Sequence, residues 1–124
     1  MPVELLEHYT IRCADMEATR DFYRDVIGLE VGARPAFPFP GYWLYLGGVP
    51  IVHLVKAEDG EPKGAGTAAL DHIAFRGIDI DATRTTLRSH ALDFRETAVP
   101  GGRLQQIFVR DPDGILIELN FRRM

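Results

Sequence analysis

Residues 6–20, LEHYTIRCADMEATR, and residues 70–84, LDHIAFRGIDIDATR, align without a gap at an offset of 64 residues. Seven of the fifteen pairs are identical: Leu6/Leu70, His8/His72, Arg12/Arg76, Asp15/Asp79, Ala18/Ala82, Thr19/Thr83 and Arg20/Arg84. Any fold for this chain must accommodate two related modules that open on the same pattern. A repeat that preserved only a core would keep its apolar positions, whereas this one keeps a histidine inside an apolar run in both copies. Two modules that each offer one histidine point to a site on a pseudo-twofold axis.

At 124 residues the chain suffices for one compact domain and is too short for two independent ones. The modules must complete each other's core or that of a partner chain, giving a single domain with module one at about 3–56, a linker at about 57–69 and module two at about 70–122. With 46% hydrophobic and 26% charged residues the composition is that of a soluble globular protein. The net charge of -4 and the lack of a basic stripe argue against a nucleic-acid partner. The longest uncharged apolar stretch, Pro35 to Ile51, is interrupted by prolines and glycines and cannot form a spanning helix, so no membrane association is expected. The opening MPVELLEH lacks the basic-then-apolar layout of a signal peptide. A lone Cys13 excludes an internal disulfide and fits the reducing cytoplasm.

Alternation over residues 5–12 predicts a strand with Leu6, His8, Thr10 and Arg12 on one face and Leu5, Glu7, Tyr9 and Ile11 on the other. Asp15 is placed to cap a helix over residues 16–27, which buries Met16, Thr19, Phe22, Tyr23 and Val26 or Ile27, and Gly28 ends it. Strands are predicted at Leu29–Arg34, Tyr42–Leu46 and Ile51–Val55, the last two joined by the turn Gly47-Gly48-Val49-Pro50. After the glycine-rich linker the order repeats. Strand Leu70–Arg76 leads to an Asp79-capped helix reaching about Ala91, then to strands near Asp93–Thr97, Arg103–Arg110 and Ile115–Phe121. Asp111-Pro112-Asp113-Gly114 supplies the last turn. The expectation is an α+β fold of two tandem βαβββ modules, whose mixed sheets curl around a metal-centred cavity.

Four polar residues interrupt otherwise apolar strands. His8 and His72 open the two modules; His53 lies in PIVHLV and Glu118 in LIELNF, and an offset of 65 residues places these two at equivalent positions. Imidazoles and a carboxylate converging on one cavity suit Zn, Ni, Co, Mn or Fe. A single strand histidine is more often a hydrogen-bonded structural residue than a ligand. A carboxylate among apolar neighbours demands a cation, a partner or water. It is the joint occurrence at equivalent places that favours a metal site of His8, His53, His72 and Glu118, with His53 either ligand or pocket lining. Arg12 and Arg76 lie about 13 Å further along the same strand faces, as anion-binding groups or as surface ion pairs. Thr19, Thr83, Arg20 and Arg84 read as marks of shared ancestry. The stretch RPAFPFPGYWLYLGG (34–48) offers Phe37, Phe39 and Trp43 to the wall or lid of a substrate pocket, and PGGRLQQ (100–106) is the matching loop of module two.

These residues resemble a known family. The LEHYTIR…FYRDVIGLEV opening, the LDHIAF second start and the FVRDPDGILIEL ending look like the vicinal oxygen chelate superfamily over essentially the whole chain. That group includes glyoxalase I, fosfomycin resistance enzymes, methylmalonyl-CoA epimerase, extradiol dioxygenases and metal-free bleomycin-binding proteins. The resemblance implies a divalent metal that chelates two substrate oxygens and stabilises an enolate-like intermediate. It matches His8, His72 and Glu118 to the family's recurring ligands, and His53 to a position where glyoxalase I carries a glutamate ligand. Arg12 falls where glyoxalase I places an arginine on a glutathione carboxylate. The implied function is a metal-dependent lyase or isomerase of the glyoxalase type acting on a small oxygenated substrate, with Glu118 as the base. The alternatives are an extradiol-type Fe(II) dioxygenase and a non-catalytic ligand-sequestering resistance protein. A homodimer is expected, the site lying within one chain or shared across two.

Overall fold

The computed structural model describes residues 2, 4–59, 66–99, 101 and 103–123. Part of the expected linker (60–65), the start of module one at residue 3, and Pro100 and Gly102 of the 100–106 loop lie outside the described residues. The chain divides into two compact units, Met1–Lys63 and Gly64–Met124.

In the first unit the order is β1 (Tyr9–Cys13), α1 (Met16–Phe22), β2 (Glu30–Gly32), β3 (Gly41–Leu46) and β4 (Val49–Lys56). The strands form one mixed sheet in the order β1-β4-β3-β2, with β1 parallel to β4 and the other pairs antiparallel. Asp15 caps α1 by accepting from the Ala18 amide at 3.0 Å. The helix buries Met16, Thr19 and Phe22, and the chain then widens into a π-helical turn over Tyr23–Ile27 in which Tyr23 is buried. Gly28 ends it at φ 95°, in the left-handed region that favours glycine. Helix packing takes one face of the sheet: Ile11, Cys13, Leu44, Val52 and Leu54 are buried there, while Thr10 and Arg12 alternate outward.

The second unit repeats the plan: β5 (Ile73–Arg76), α2 (Ile80–Ser89), β6 (Phe94–Ala98), β7 (Leu104–Arg110) and β8 (Leu116–Arg122), with sheet order β5-β8-β7-β6. Asp79 caps α2 through the Ala82 amide at 3.1 Å, and Leu87, Ile107, Val109, Ile117, Leu119 and Phe121 are buried. The Asp111–Gly114 turn is tied by its first side chain, whose Oδ1 accepts from the amides of Asp113 (2.8 Å) and Ile115 (2.9 Å). The α+β architecture of tandem βαβββ modules is thus present in both units.

The first strand of each unit is shorter than its sequence pattern. β1 begins at Tyr9, leaving Leu5 and Leu6 exposed outside the ladder, and β5 begins at Ile73, leaving Leu70 exposed. Register supplies a physical reason in the first unit. Tyr9 pairs with Val52, and just before that register β4 carries Pro50, which has no N–H to donate.

The recurring arginines act between helix and sheet. Arg20 donates from Nη1 to the Tyr42 hydroxyl at 3.0 Å and lies over that ring, 4.9 Å from its centroid. Arg84 grips both oxygens of Glu96, at 2.9 and 2.7 Å. A two-pronged guanidinium–carboxylate contact is the strong form of this interaction. Hydrogen bonding from Arg84 holds the Glu96 carboxyl below its ordinary 4.5, against burial, which pushes it up. A depressed folded value stabilises the fold above the unfolded pKa and loses that contribution as pH falls through the folded one. Glu96→Gln is therefore expected to lower the urea midpoint at pH 7, with the gap to the native protein closing as pH drops below about 4.5. A gap independent of pH would show that the pair contributes no charge-dependent stability.

Candidate metal and substrate site

The unburied face of each sheet carries the polar residues singled out above, and strand register sets their spacing. In the first unit His53 on β4 pairs across the ladder with Trp43 on β3 and Thr10 on β1. His8 lies two residues before Thr10, hence on the same face and diagonal to His53. The three rings stack. His53 lies between Trp43 (centroids 4.1 Å apart, planes at 12°) and His8 (3.9 Å, 13°).

In the second unit Glu118 on β8 pairs with Phe108 on β7 and Ala74 on β5. His72 stands diagonal to Glu118 as His8 does to His53, its Nε2 3.3 Å from Glu118 Oε1. The two correspondences in the sequence are therefore one geometric relation, built twice by the same parallel strand pair.

Hydrogen bonds assign the imidazole nitrogens. His8 Nδ1 lies 3.0 Å from Glu7 Oε1, and His72 Nδ1 lies 2.7 Å from Asp71 Oδ2. Carboxylates only accept, so Nδ1 carries the proton in both rings and Nε2 is the lone-pair nitrogen of the neutral form. Glu7 and Asp71 are separated by the same 64 residues as the histidines. An acid before each repeated histidine was legible in the sequence, although a glutamate facing an aspartate counts as no identity. His53 differs: its Nε2 donates to the Pro50 carbonyl at 3.0 Å, leaving Nδ1 as its lone pair.

This makes the His72–Glu118 contact informative. With Nδ1–H committed to Asp71, a neutral His72 would turn a lone pair toward a carboxylate oxygen. Either a second proton or a cation must lie between them. Hydrogen bonding to Asp71 raises the His72 pKa above 6.5, burial opposes this, and the Glu118 charge adds to it. Two donors each about 2.0–2.2 Å from one tetrahedral ion lie about 3.4 Å apart, so the observed spacing also suits a shared metal. Glu118 is 13% exposed, and its other oxygen is held by a polar chain across the sheet. Asn120 Nδ2 donates to Glu118 Oε2 (2.8 Å), Gln106 Nε2 to Asn120 Oδ1 (3.2 Å) and Thr97 Oγ1 to Gln106 Oε1 (3.1 Å). Asn120 and Gln106 are residues that sequence reading missed, because lone amides on a strand carry no spacing signal.

The His8–His53 stack is less ready for an ion. A metal binds an imidazole close to the ring plane, at about 2.0–2.1 Å for zinc. Two nearly parallel planes with centroids 3.9 Å apart share no point within that reach of both. Joint ligation requires one ring to turn. Among the described residues no three His, Cys, Asp or Glu side chains gather closely enough to hold a metal ion; each unit supplies a pair.

The remaining candidates lie on or beside the first sheet. Arg12, with Phe39, Pro40, Val55 and Lys56, walls a groove of about 670 Å³. Phe37 and Phe39 are stacked on each other and about half exposed, and Phe37 tilts toward Trp43 with centroids 6.5 Å apart. Among the described residues no helix is long and apolar enough to cross a membrane.

The family model of the Glyoxalase/Bleomycin resistance protein/Dioxygenase superfamily matches residues 5–119. The protein named Glyoxylase I 4 of Arabidopsis thaliana is 32% identical over 120 residues, covering 92% of this chain and 68% of that one. Among solved structures, a glyoxalase/dioxygenase from Nostoc punctiforme aligns with a TM-score of 0.80 at 19% identity, covering 99% of this chain and 94% of that chain. The antibiotic-binding protein TnmS3 of Streptomyces sp. CB03234 aligns at 0.76 and 21%, covering 99% of both. At such identities the structural matches speak to the fold.

The histidines should titrate in a set order. Burial, then the neighbouring His8, lowers the His53 pKa below 6.5, outweighing the Pro50 hydrogen bond that raises it. His72 should therefore protonate at higher pH than His53, and Asp71→Ala should bring the His72 midpoint down. Imidazole Cε1–H shifts followed by NMR in metal-free protein test this, and the reverse order would contradict the assigned contacts.

Proposed function

Because the chain belongs to the Glyoxalase/Bleomycin resistance protein/Dioxygenase superfamily, we propose that it is a metal-dependent lyase or isomerase of the glyoxalase type, acting on a small molecule with adjacent oxygens. The observation that carries this reading is the His72–Glu118 pair, whose Nε2 and Oε1 lie 3.3 Å apart, a spacing that suits two donors on one cation. His8, with Nε2 left open by the Glu7 contact, is the third donor. His53 joins as the fourth by turning out of its stack. Imidazole and carboxylate donors fit Zn, Ni, Co, Mn or Fe.

When bound, such an ion acts as a Lewis acid that stabilises negative charge on the substrate oxygens. The protein's own part is proton transfer and orientation. Glu118 Oε1 would accept a proton from a carbon beside the substrate oxygens and return it to the adjacent carbon, while Oε2 stays on the Asn120 amide. Holding one oxygen leaves the other as the mobile base. Trp43, Phe37 and Phe39 supply apolar surface for the substrate body, and Arg12 an anchor for an anionic group. We place the protein in the cytoplasm, where Cys13, buried and unbridged, stays reduced. A homodimer is the proposed assembly, since each sheet ends in edge strands open to pairing.

Three His/Glu ligands without His53 would instead form the facial triad of non-haem Fe(II) oxygenases. The stacking of His53 between Trp43 and His8 favours that second reading if it persists in the loaded protein. A sequestering role without turnover needs no metal.

Calorimetry with Zn, Ni, Co and Fe(II) separates these readings. Stoichiometric binding is expected, reduced at least about 100-fold by His72→Ala, and about 10-fold by Asn120→Ala as for loss of an orienting contact behind a ligand. His53→Ala should weaken binding measurably but less than His72→Ala. Absence of divalent-metal binding would sink the enzyme reading and leave the sequestering one. Trp43 is the single tryptophan, so its emission reports the stack. Redox-inert Zn should change emission in the native protein and not in His53→Ala. An unchanged native signal on full loading means that His53 stays stacked as pocket wall, and the facial triad gains.

A further inference from the structure

One cation on the first unit's polar face has no part in the chemistry proposed above. Arg34 follows β2, and its guanidinium lies against both Phe37 and Phe39, with Cζ 5.1 and 5.2 Å from the ring centroids. The two rings are nearly parallel, at 11° with centroids 5.3 Å apart. Nη1 donates to the Phe39 carbonyl at 3.1 Å. Nε is buried with no hydrogen-bond partner, and no carboxylate among the described residues pairs with the guanidinium.

Its seat is made by a glycine. A Cβ on Gly41 would come 2.6 Å from the Leu54 carbonyl oxygen, and 3.0 and 3.1 Å from Arg34 Nη2 and Cζ, so the glycine serves the strand pairing first and also leaves bare backbone under the guanidinium. Gly41 pairs with Val55, and Val55 with Arg12, which places all three on the face shared with His53. The second unit has Gln106 at the equivalent place; the β6 residue opposite Gln106 is the uncharged Thr97, and the arginine of that strand, Arg95, lies over Phe108 instead. Arg34 is therefore an addition to the repeat. Its charge also reaches His53, joining burial and His8 in disfavouring a proton there.

A staple for the proline-rich segment would need no charge, because an apolar side chain stacks on two rings without desolvating an N–H. We propose that Arg34 is a carboxylate-binding residue, anchoring a substrate whose apolar or aromatic body lies along Phe37, Phe39 and Trp43. The stack orients the guanidinium and weakens its hydration, so little ordering remains when an anion arrives. Turning Phe37 or Phe39, 44% and 46% exposed, uncovers Nε beside Nη2, the two-pronged edge that a carboxylate takes. The adjoining groove adds Arg12 and Lys56, with Glu58 and Asp59 also in its wall. Insofar as it defines a substrate class, carboxylates over neutral oxygenated molecules, this inference rests on the enzyme reading; the anion site itself does not.

The test uses chelator-treated protein and Trp43 emission, with phenylacetate and its neutral analogue phenylacetamide as probes. Phenylacetate should give a saturable response and phenylacetamide one at least about tenfold weaker. Arg34→Met should lose at least about tenfold for the acid with little change for the amide, and Arg34→Lys should fall between. Circular dichroism and thermal melting check that the variants fold, and the acid–amide comparison in the native protein stands without them. Equal binding of acid and amide overturns the proposal, as does no saturable response to the acid. So does an Arg34→Met variant that binds phenylacetate normally while Arg12→Met does not. Metal is absent throughout, so failure here leaves the metal reading intact, and failure to bind metal leaves this result interpretable.

Discussion

The parallel pairing of first and last strands in each unit is the constraint from which the site follows. β1 beside β4 and β5 beside β8 bring together residues more than forty positions apart in sequence. A parallel pair needs a crossover connection, here the capped helix and the two intervening strands. Because register fixes which side chains are neighbours, the step from Thr10 back to His8 and from Ala74 back to His72 puts each histidine diagonal to the fourth-strand residue. A slip of one residue would turn the fourth-strand residue to the helix side. The buried rows, Val52 and Leu54 in one unit and Ile117 and Leu119 in the other, hold the register against that slip. Core packing on one face thus sets donor geometry on the other.

The same frame supports two different chemistries. In the first unit the fourth-strand position holds an imidazole, and aromatic stacking with its own backbone hydrogen bond keeps that ring closed on itself. In the second it holds a carboxylate, and an amide relay from Thr97 through Gln106 and Asn120 orients one oxygen while the other faces His72. A partly buried carboxylate among hydrogen-bond donors is stabilised in place, and this relay satisfies each amide group it uses. Where the second unit spends its Gln106 position on that relay, the first has Gly41 and seats the Arg34 guanidinium there. One unit orients a carboxylate; the other gathers rings and positive charge.

Much of this was legible in the chain. The α+β order, both helix caps, Gly28 and the Asp111–Gly114 turn follow from local chemistry, since a cap or turn is decided by a handful of adjacent residues. His8, His53, His72 and Glu118 stood out because a polar residue in an apolar run must be compensated, although His8 and His72 lie just before β1 and β5 rather than on them. The strand starts were misread, as Leu5, Leu6 and Leu70 continue an alternating pattern and yet stand exposed. Alternation records which faces differ, and pairing alone decides where a ladder begins. Arg20 and Arg84, read as marks of ancestry, hold helix to sheet through Tyr42 and Glu96, partners too distant in sequence for spacing to suggest.

By itself the sequence determined that there are two related βαβββ modules, that each offers a histidine just before its first strand, and that a fourth-strand imidazole in one answers a carboxylate in the other. These are matters of period, capping and repeat offset, which short-range chemistry writes directly into residue order. Only the tertiary structure decided which nitrogen each imidazole presents, that His53 lies stacked between Trp43 and His8, that Asn120 holds Glu118, and that Arg34 rests on Gly41 between two phenylalanines. Each depends on side chains meeting across strands or loops, and that meeting is set by register and by the room a glycine leaves.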